Sequence, residues 1–257
     1  MGYRIKVIHP DEAPEAFPDP ANTGTALGQP EGLVAIGGDL SPQRLVYAYE
    51  HGIFPWYNDD QPILWWSPDP RAIIRVNDFH MSRSLVRELK NNDWSYTVNQ
   101  SFSAVINGCA SNRGEYGTWI TSEMTAAYTK LHKQGYAHSI ESWLDGQLAG
   151  GIYGICLGNV FFGESMFSSA TSGSKVAISA LMYMARKLDI HLLDCQISNP
   201  HLETLGMTEI SRQDFLQELT GNKMNKLNPG DFGKNPAPGT DLCELRQKKT
   251  NHRPKHC

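Results

Sequence analysis

Apolar residues recur at helical spacing in one short segment of the 257-residue chain. Met81, Leu85 and Leu89 are four residues apart, which predicts a helix across residues 80–91 with one packing face. Three basic side chains fall on another face of this helix: Arg83, Arg87 and Lys90. The pattern therefore predicts a helix that is packed on one side and cationic on the other.

The rest of the pattern mixes helices with short strands. Helices are predicted at residues 41–51, 101–110, 122–134 and 173–187, with a short one at 199–206 and a last one beginning at 211. Strands are predicted near 96–98 and at 138–144, 147–156, 159–164, 191–196 and 207–210. Hairpin-type turns at Asp145-Gly146 and Gly158-Asn159 join three of these strands into an antiparallel meander.

This order predicts an α+β fold with α/β layers, divided into two domains. Residues 1–69 are expected to form a small N-terminal domain, and residues 70–220 are expected to form a larger one. The boundary is placed at the pair Pro68 and Pro70. Residues 221–257, rich in Lys, Asn, Pro and Gly, are predicted to be a basic, mobile tail.

Composition and charge narrow the class of protein. With 40% apolar and 19% charged residues the chain is globular, and no apolar run approaches the ~18 residues of a membrane helix. Five widely spaced cysteines and the absence of a signal-peptide pattern predict a cytoplasmic protein without disulfides. The net charge is −4, but residues 71–137 carry +3 and residues 221–257 carry +5, so a nucleic acid would have to dock locally.

The segment from Phe161 to Lys175 has the pattern of a functional site. A strand is predicted to end at Glu164 and to lead through small residues to a helix that begins at Gly173. An acid beside the free N–H groups of a helix can hold an amine on one side and an ester oxygen on the other. In the alternative interpretation, Glu164 only makes a structural hydrogen bond.

A second polar pair closes the strand that follows this helix. Asp194 and Gln196 are expected to share one face with Leu192, while Cys195 points away. Burial of a carboxylate is costly unless it is paired, which favours a functional role for these two residues. Cys195 is better explained as a core residue than as a nucleophile, and the spacing of His and Cys in the tail matches no metal site.

Tryptophans beside turns give a further signal. Trp56, Trp65, Trp66 and Trp119 lie next to turn residues instead of inside long helices. Some of them are candidates for stacking on nucleic-acid bases, although burial in the core is the more ordinary role for tryptophan.

Six blocks of sequence occur in order between residues 17 and 218: GLVAIGGDLS (32–41), GIFPW (52–56), LWWSPDPR (64–71), GTWIT (117–121), GESMFS (163–168) and DCQ (194–196). Together they resemble the bacterial leucyl/phenylalanyl-tRNA–protein transferases. The resemblance implies a small N-terminal α/β domain followed by a domain of the acyl-CoA N-acyltransferase (GNAT-like) type. It also implies transfer of Leu or Phe, and less readily Met, from aminoacyl-tRNA to proteins with an N-terminal Arg or Lys, which creates a degradation signal.

The resemblance assigns roles to several of these residues. It implies that Glu164, Asp194 and Gln196 form the catalytic and amine-positioning set, and that Trp56 and Trp119 contact the terminal adenosine. An aminoacyl ester is already activated, so no cofactor or metal is expected. The tRNA acceptor stem is expected on Arg83, Arg87 and Lys90. The aminoacyl side chain is predicted to enter an apolar pocket between the meander and helix 173–187, and Asn199 is a further substrate-binding candidate. The candidate walls of this pocket are Ile152, Phe161, Ile178, Leu181 and Leu193.

Two other functions remain open from the sequence. An acetyl-CoA-dependent N-acetyltransferase needs a glycine-rich loop around the pyrophosphate, and residues 168–174 contain only Gly173. A non-catalytic RNA-binding module could use the cationic helix, although the net negative charge opposes it.

Overall fold

The computed structural model describes residues 5–23, 31–111, 120–220 and 236–250. A four-stranded sheet lies in the N-terminal part, in the order β1-β2-β4-β3. Its strands are β1 (Lys6–Ile8), β2 (Leu33–Gly37), β3 (Phe54–Pro55) and β4 (Leu64–Trp66), with helix α1 (Pro42–Glu50) between β2 and β3. Helix α1 begins as predicted, since the Ser41 side chain accepts from the Arg44 N–H and Pro42 occupies the first turn.

An eight-stranded sheet forms the larger part of the molecule, in the order β11-β5-β10-β9-β8-β7-β6-β12. Strands β9 and β10 are parallel, and the other neighbouring pairs are antiparallel. The strands are β5 (Arg71–Arg75), β6 (Trp94–Val98), β7 (Ala137–Leu144), β8 (Gln147–Leu157), β9 (Val160–Ser168), β10 (Leu192–Gln196), β11 (Thr208–Ile210) and β12 (Ala237–Pro238). The helices of this part are α2 (Arg83–Asn91), α3 (Phe102–Ser111), α4 (Ser122–Lys133), α5 (Gly173–Lys187), α6 (Pro200–Glu203) and α7 (Arg212–Thr220).

The predicted α+β class, the meander β7-β8-β9 and the helix at 173–187 are confirmed. One boundary is wrong in a way that affects the site. The strand predicted at 159–164 continues to Ser168, because β8 pairs with β9 as far as Gly150 opposite Ser168. Glu164 therefore lies inside a strand and not at its end.

The eight-stranded sheet separates two apolar cores. On β8, Tyr153 and Ile155 belong to one core, while Ile152 and Cys156 belong to the other, as the alternation of a strand requires. The first core is covered by α1, α3, α4 and α7, and the second by α2 and α5. The first core also contains the buried residues of the N-terminal sheet, so the two sheets share one core.

Helix α5 begins in direct contact with β8. A Cβ atom on Gly173 would lie 2.0 Å from the carbonyl oxygen of Ala149, which no side chain can tolerate. Only glycine permits this approach. Gly173 thus fixes where α5 meets the sheet.

The tail prediction is wrong for one segment. Residues 237–238 pair with β6 as β12, and a 3₁₀ helix follows at Gly239–Thr250. Leu242 and Leu245 of this helix are buried in the second core, since they cover a face of α5. Residues 221–235 and 251–257 lie outside the described residues. Among the described helices, none is long and apolar enough to cross a membrane.

Candidate active site

Glu164 lies at the centre of a buried polar cluster. The Tyr49 hydroxyl lies 2.6 Å from Glu164 Oε1, and the Tyr128 hydroxyl lies 2.8 Å from Oε2. Gln196 Nε2 donates to Oε1 at 3.0 Å. Helices α1 and α4 and strands β9 and β10 thus each contribute one side chain. Four distant parts of the chain meet at this carboxyl group.

Burial controls the protonation of the cluster. Removal from water raises the pKa of Glu164 to about 7, although hydrogen bonds from Tyr49, Tyr128 and Gln196 oppose the rise. Burial, together with the charge of Glu164, holds the pKa of both tyrosines well above its ordinary value. The tyrosines keep their protons, while Glu164 can change its charge near neutral pH.

Asp194 is occupied by a different partner. Its carboxylate accepts from Arg71 Nε at 2.8 Å and from Arg71 Nη2 at 2.7 Å, and both side chains are almost completely buried. Arg71 also donates to the Gly52 carbonyl and lies over the rings of Phe54 and Phe215. The expectation that Asp194 faces an acceptor amine does not fit this geometry, because arginine covers its oxygens.

Asp194 reaches Gln196 through the backbone. The Gln196 N–H donates to Asp194 Oδ1 at 2.9 Å, and Gln196 adopts a positive φ of 64°. The pairing of β10 with β5 is irregular at this point. The two side chains therefore do not project side by side as a regular strand predicts, because the irregularity turns Gln196 towards Glu164.

A cavity of about 240 Å³, lined by both apolar and polar residues, opens beside Glu164 and Gln196. Three of the five predicted pocket walls line it, namely Ile152, Ile178 and Leu193, and the candidate Asn199 lines it too. The Asn199 side chain also caps α6 by accepting from the Leu202 N–H. The other lining residues are Gly163, Glu164, Ser165, Met166, Asp194, Cys195, Gln196 and Leu202.

Phe161 and Leu181 do not line this cavity. Phe161 is buried in the second core, where its ring lies against Gly154. Leu181 is buried in the same core, nearly one helical turn beyond Ile178 on α5. Both residues lie on the predicted side of the sheet, but packing places them inside the core.

A second, smaller cavity of about 140 Å³ shares Glu164, Cys195 and Gln196 with the first. Trp56 is 43% exposed and lines this second cavity. By contrast, Trp65 is completely buried. Trp119 lies outside the described residues. Of the tryptophans singled out from the sequence and described, Trp56 is the one beside the cluster.

Cys195 borders both cavities, but burial raises the pKa of its thiol far above the ordinary value. A thiol that stays protonated is a poor nucleophile. The geometry therefore agrees with the interpretation of Cys195 as a packing residue.

Helix α2 has the two faces that its sequence predicts. Leu85 and Leu89 are buried, whereas the three basic residues of the other face are exposed: Arg83, Arg87 and Lys90. Glu88, which reduces the positive charge of the helix, accepts from the Ser172 hydroxyl just before α5. The helix thus presents its cations to solvent while Glu88 ties it to the turn before α5.

Sequence patterns did not single out three buried residues of the site, namely two tyrosines of the cluster and the partner of Asp194. Tyr49 and Tyr128 lie on helices with ordinary apolar spacing, and nothing local marks them as polar contacts. Arg71 had an indirect signal, because a buried Asp194 requires a cation and Arg71 opens a strand after Pro70. All three are brought to the site by tertiary packing.

Comparisons with known proteins point to one family. The family profile described as leucyl/phenylalanyl-tRNA protein transferase matches residues 73–220, and the profile of its N-terminal domain matches residues 38–69. The leucyl/phenylalanyl-tRNA–protein transferase of Shewanella halifaxensis is 54% identical over 207 residues, covering 80% of this chain and 86% of that protein. The protein of the same name from Idiomarina loihiensis is 46% identical over 237 residues, covering 91% and 99%.

Solved structures give weaker similarity. L-PGS from Bacillus licheniformis aligns with a TM-score of 0.37 and 11% identity, over 62% of this chain and 52% of that one. A GCN5-related N-acetyltransferase from Kribbella flavida aligns with a TM-score of 0.34 and 12% identity, over 66% and 61%. The sequence relatives, and not these structures, identify the family.

Proposed function

Because the chain belongs to the leucyl/phenylalanyl-tRNA–protein transferase family, we propose that it transfers Leu or Phe, and less readily Met, from aminoacyl-tRNA to proteins with an N-terminal Arg or Lys. The reaction forms a peptide bond, breaks the ester to the tRNA, and leaves the acceptor with an N-terminal degradation signal. Its place is the cytoplasm, where charged tRNA is available.

The observation that carries this proposal is the meeting of two cavities at one carboxyl group. The larger cavity is lined by Ile152, Ile178 and Leu193 and takes the aminoacyl side chain. The smaller cavity, beside Trp56, takes the terminal adenosine by stacking. The ester that joins these two parts of the substrate then lies next to Glu164.

The apolar walls of the larger cavity select the aminoacyl group by size and polarity, and these walls are Ile152, Ile178 and Leu193. A charged side chain against these walls would lose its hydration without gaining a partner, so we expect Asp and Lys to be rejected. At about 240 Å³ the cavity has room for one apolar side chain. The proposed aminoacyl groups Leu, Phe and Met all carry a side chain of this kind.

Glu164 and Gln196 hold the amine. The α-amino group has an ordinary pKa near ~7.7 to 8, so only modest help is needed to deprotonate it. Glu164 takes that proton, and Gln196 holds the carboxyl group in place through its 3.0 Å hydrogen bond. Asp194, paired with Arg71, keeps Gln196 in its unusual backbone conformation. Asp194 is therefore a positioning residue.

An acetyl-CoA-dependent activity is less well supported. A pyrophosphate needs free N–H groups and open space at the start of α5. The Ser174 N–H already donates to the Ser168 hydroxyl at 2.8 Å, and Gly173 is required for contact with β8. The start of α5 is thus filled by the protein itself.

One assay separates the three functions. Purified protein is incubated with radiolabelled Leu-tRNA and a casein fragment that bears N-terminal Arg, and the same fragment with an acetylated N-terminus is the control. We expect label on the free amine only. Transfer of label from acetyl-CoA instead would identify an N-acetyltransferase. RNA binding without transfer to either fragment would support the non-catalytic RNA-binding module.

A further inference from the structure

Two hydroxyls and one carboxyl group form a closed ring of contacts in the polar cluster. The hydroxyls of Tyr49 and Tyr128 are 2.5 Å apart, and they lie 2.6 Å and 2.8 Å from the two oxygens of Glu164. Both tyrosines are completely buried, and Glu164 is 7% exposed. All three separations are hydrogen-bond distances for oxygen atoms.

Three hydrogen bonds need three protons. Each tyrosine hydroxyl supplies one, and burial keeps both tyrosines protonated. If Glu164 is ionised, two protons serve three contacts, and one pair of oxygens is held together without a hydrogen bond. If Glu164 is protonated on Oε2, every contact is satisfied. Glu164 donates to Tyr128, Tyr128 donates to Tyr49, and Tyr49 donates to Oε1.

Gln196 fits the same arrangement. Its amide nitrogen can only donate, and it donates to Oε1. This leaves Oε2 as the oxygen that carries the proton. The hydrogen bond from Gln196 is therefore compatible with a ring in which Glu164 donates through Oε2 and accepts at Oε1.

We propose that Tyr49, Tyr128 and protonated Glu164 form a closed ring of three hydrogen bonds that stores one proton during aminoacyl transfer. The two tyrosines are then positioning residues of the reaction. The storage step rests on the proposed function, whereas the ring itself does not.

Burial is the main cause that raises the pKa of Glu164, and titratable or charged groups face the cluster from several elements. Asp194 on β10 raises its pKa, but Arg71 on β5 is paired with Asp194. Tyr153 on β8 acts electrostatically on both ring tyrosines, and Cys195 borders the same cavities. With Arg71 committed to Asp194, burial dominates, and Glu164 changes its charge at about pH 7.

The stored proton comes from the acceptor. The Glu164 carboxylate takes one proton from the α-ammonium group, which closes the ring and frees the nitrogen lone pair. Nitrogen attacks the ester carbon, the bond to the ribose 3′-oxygen breaks, and the second nitrogen proton goes to that oxygen. Glu164 then releases the stored proton to water. Ammonium and ester thus give amide, free 3′-hydroxyl and one proton.

Infrared difference spectroscopy tests the ring directly. Spectra of the wild-type protein and of Glu164→Gln are compared in pH steps, following the C=O stretch of a protonated carboxyl group. We expect a band that is absent from Glu164→Gln and disappears with a midpoint at about pH 7. If Glu164 is already ionised at pH 6, the ring is refuted, and this result requires no tyrosine variant to fold.

A double-mutant cycle tests the connection of the two tyrosines. Tyr49→Phe or Tyr128→Phe each removes two of the three ring bonds, and the double variant removes three, so the losses of unfolding free energy are less than additive below the midpoint. Above the midpoint, where each tyrosine donates separately to the carboxylate, we expect additivity. Additive losses at both pH values would contradict the ring. Tyr57→Phe, whose hydroxyl contacts Glu123, is the matched control.

The pH dependence of kcat/KM tests storage. The α-amine alone gives a slope of one in log kcat/KM against pH below its own pKa of ~8. If Glu164 takes its proton from the α-ammonium group, the reactive complex contains ionised Glu164 and a protonated amine, so log kcat/KM rises with a slope of one only below the infrared midpoint and falls above the amine's pKa of ~8. A profile that rises up to ~8 and then levels off, as for the amine alone, overturns storage even if the infrared band is found. If the band is found but no aminoacyl transfer occurs, the proposed function fails and the ring remains.

Discussion

At the scale of single residues, the ion pair between Asp194 and Arg71 determines the role that Asp194 can have in the site. A bidentate contact with Arg71 occupies its carboxylate, and neither side chain reaches solvent. Removal of one partner from such a pair leaves the other charge buried without compensation, at a cost of about 3–5 kcal/mol. Loss of activity in a variant of Asp194 would therefore report on the fold as well as on the chemistry.

We predict that Asp194→Ala lowers the free energy of unfolding by about 3–5 kcal/mol, because it strands the Arg71 guanidinium. Denaturant unfolding of the purified variant checks this. Glu218→Ala is the matched control, since it breaks a more exposed pair with Arg75 and should cost at most about 1 kcal/mol. An Asp194→Ala protein as stable as the wild type would show that the pair does not hold the fold.

At the scale of elements, α5 carries both a residue that lines the larger cavity and a residue that only packs in the core. Ile178 and Leu181 are both buried on this helix, but only Ile178 borders the cavity. Their difference follows from helix geometry, since three residues advance the chain by nearly one turn. A substitution at Ile178 therefore alters the cavity, whereas a substitution at Leu181 on the same helix alters only the core.

We predict that Ile178→Ala raises kcat/KM for Phe relative to Leu about tenfold, because the widened cavity accepts the larger ring and methylene-scale changes in a pocket are worth roughly 1–3 kcal/mol. Competition between the two charged tRNAs measures the ratio. Leu181→Ala should lose about 2–5 kcal/mol of stability and leave the ratio unchanged. Equal ratios in the two variants would remove Ile178 from the aminoacyl site.

Helix α2 carries a prediction about RNA. Replacement of Arg83, Arg87 and Lys90 by Ala should flatten the plot of log affinity for Leu-tRNA against log salt by about 0.7–0.9 for each phosphate interaction that the substitutions remove. The choice of amino acid should not change, because phosphate contacts position the RNA without specifying it. Lys130→Ala with Lys133→Ala, two exposed cations on α4, is the control. An unchanged slope in the triple variant would exclude α2 from the RNA interface.

At the scale of the whole molecule, one sheet with two cores connects all parts of the site. The first core joins the N-terminal sheet to the larger one, so Tyr49 and Tyr128 reach Glu164 from opposite sides of the predicted domain boundary. The second core is completed by the 3₁₀ helix at 239–250, which packs on α5. The predicted boundary at residue 69 therefore separates the two sheets, but it does not separate two independent cores.

We predict that Leu242→Ala lowers the free energy of unfolding by about 2–5 kcal/mol, because Leu242 is completely buried in the second core. Thermal or denaturant unfolding checks this. Glu244→Ala, an exposed change in the same 3₁₀ helix, should have little effect. If both variants unfold like the wild type, the segment contributes nothing to the fold.

Features that depend on local pattern can be predicted from the sequence alone. Apolar spacing located α2 and α5, turn residues located the meander, and six sequence blocks identified the family. Glu164 was predicted as a site candidate because it precedes a loop of small residues and a helix start, and Gln196 because it follows Asp194 on a buried strand, where a polar group needs a partner. Each of these signals lies within a few consecutive residues, so it can be read along the chain.

The partner of each buried group depends instead on tertiary packing. Arg71 is 123 positions from Asp194 in the sequence, and Tyr49 is 115 positions from Glu164. The tail segment that fills the second core, and the positive φ that turns Gln196 towards Glu164, are equally invisible in local spacing. Packing selects such contacts because an unpaired buried charge or an open apolar face costs free energy, and that cost depends on the whole fold.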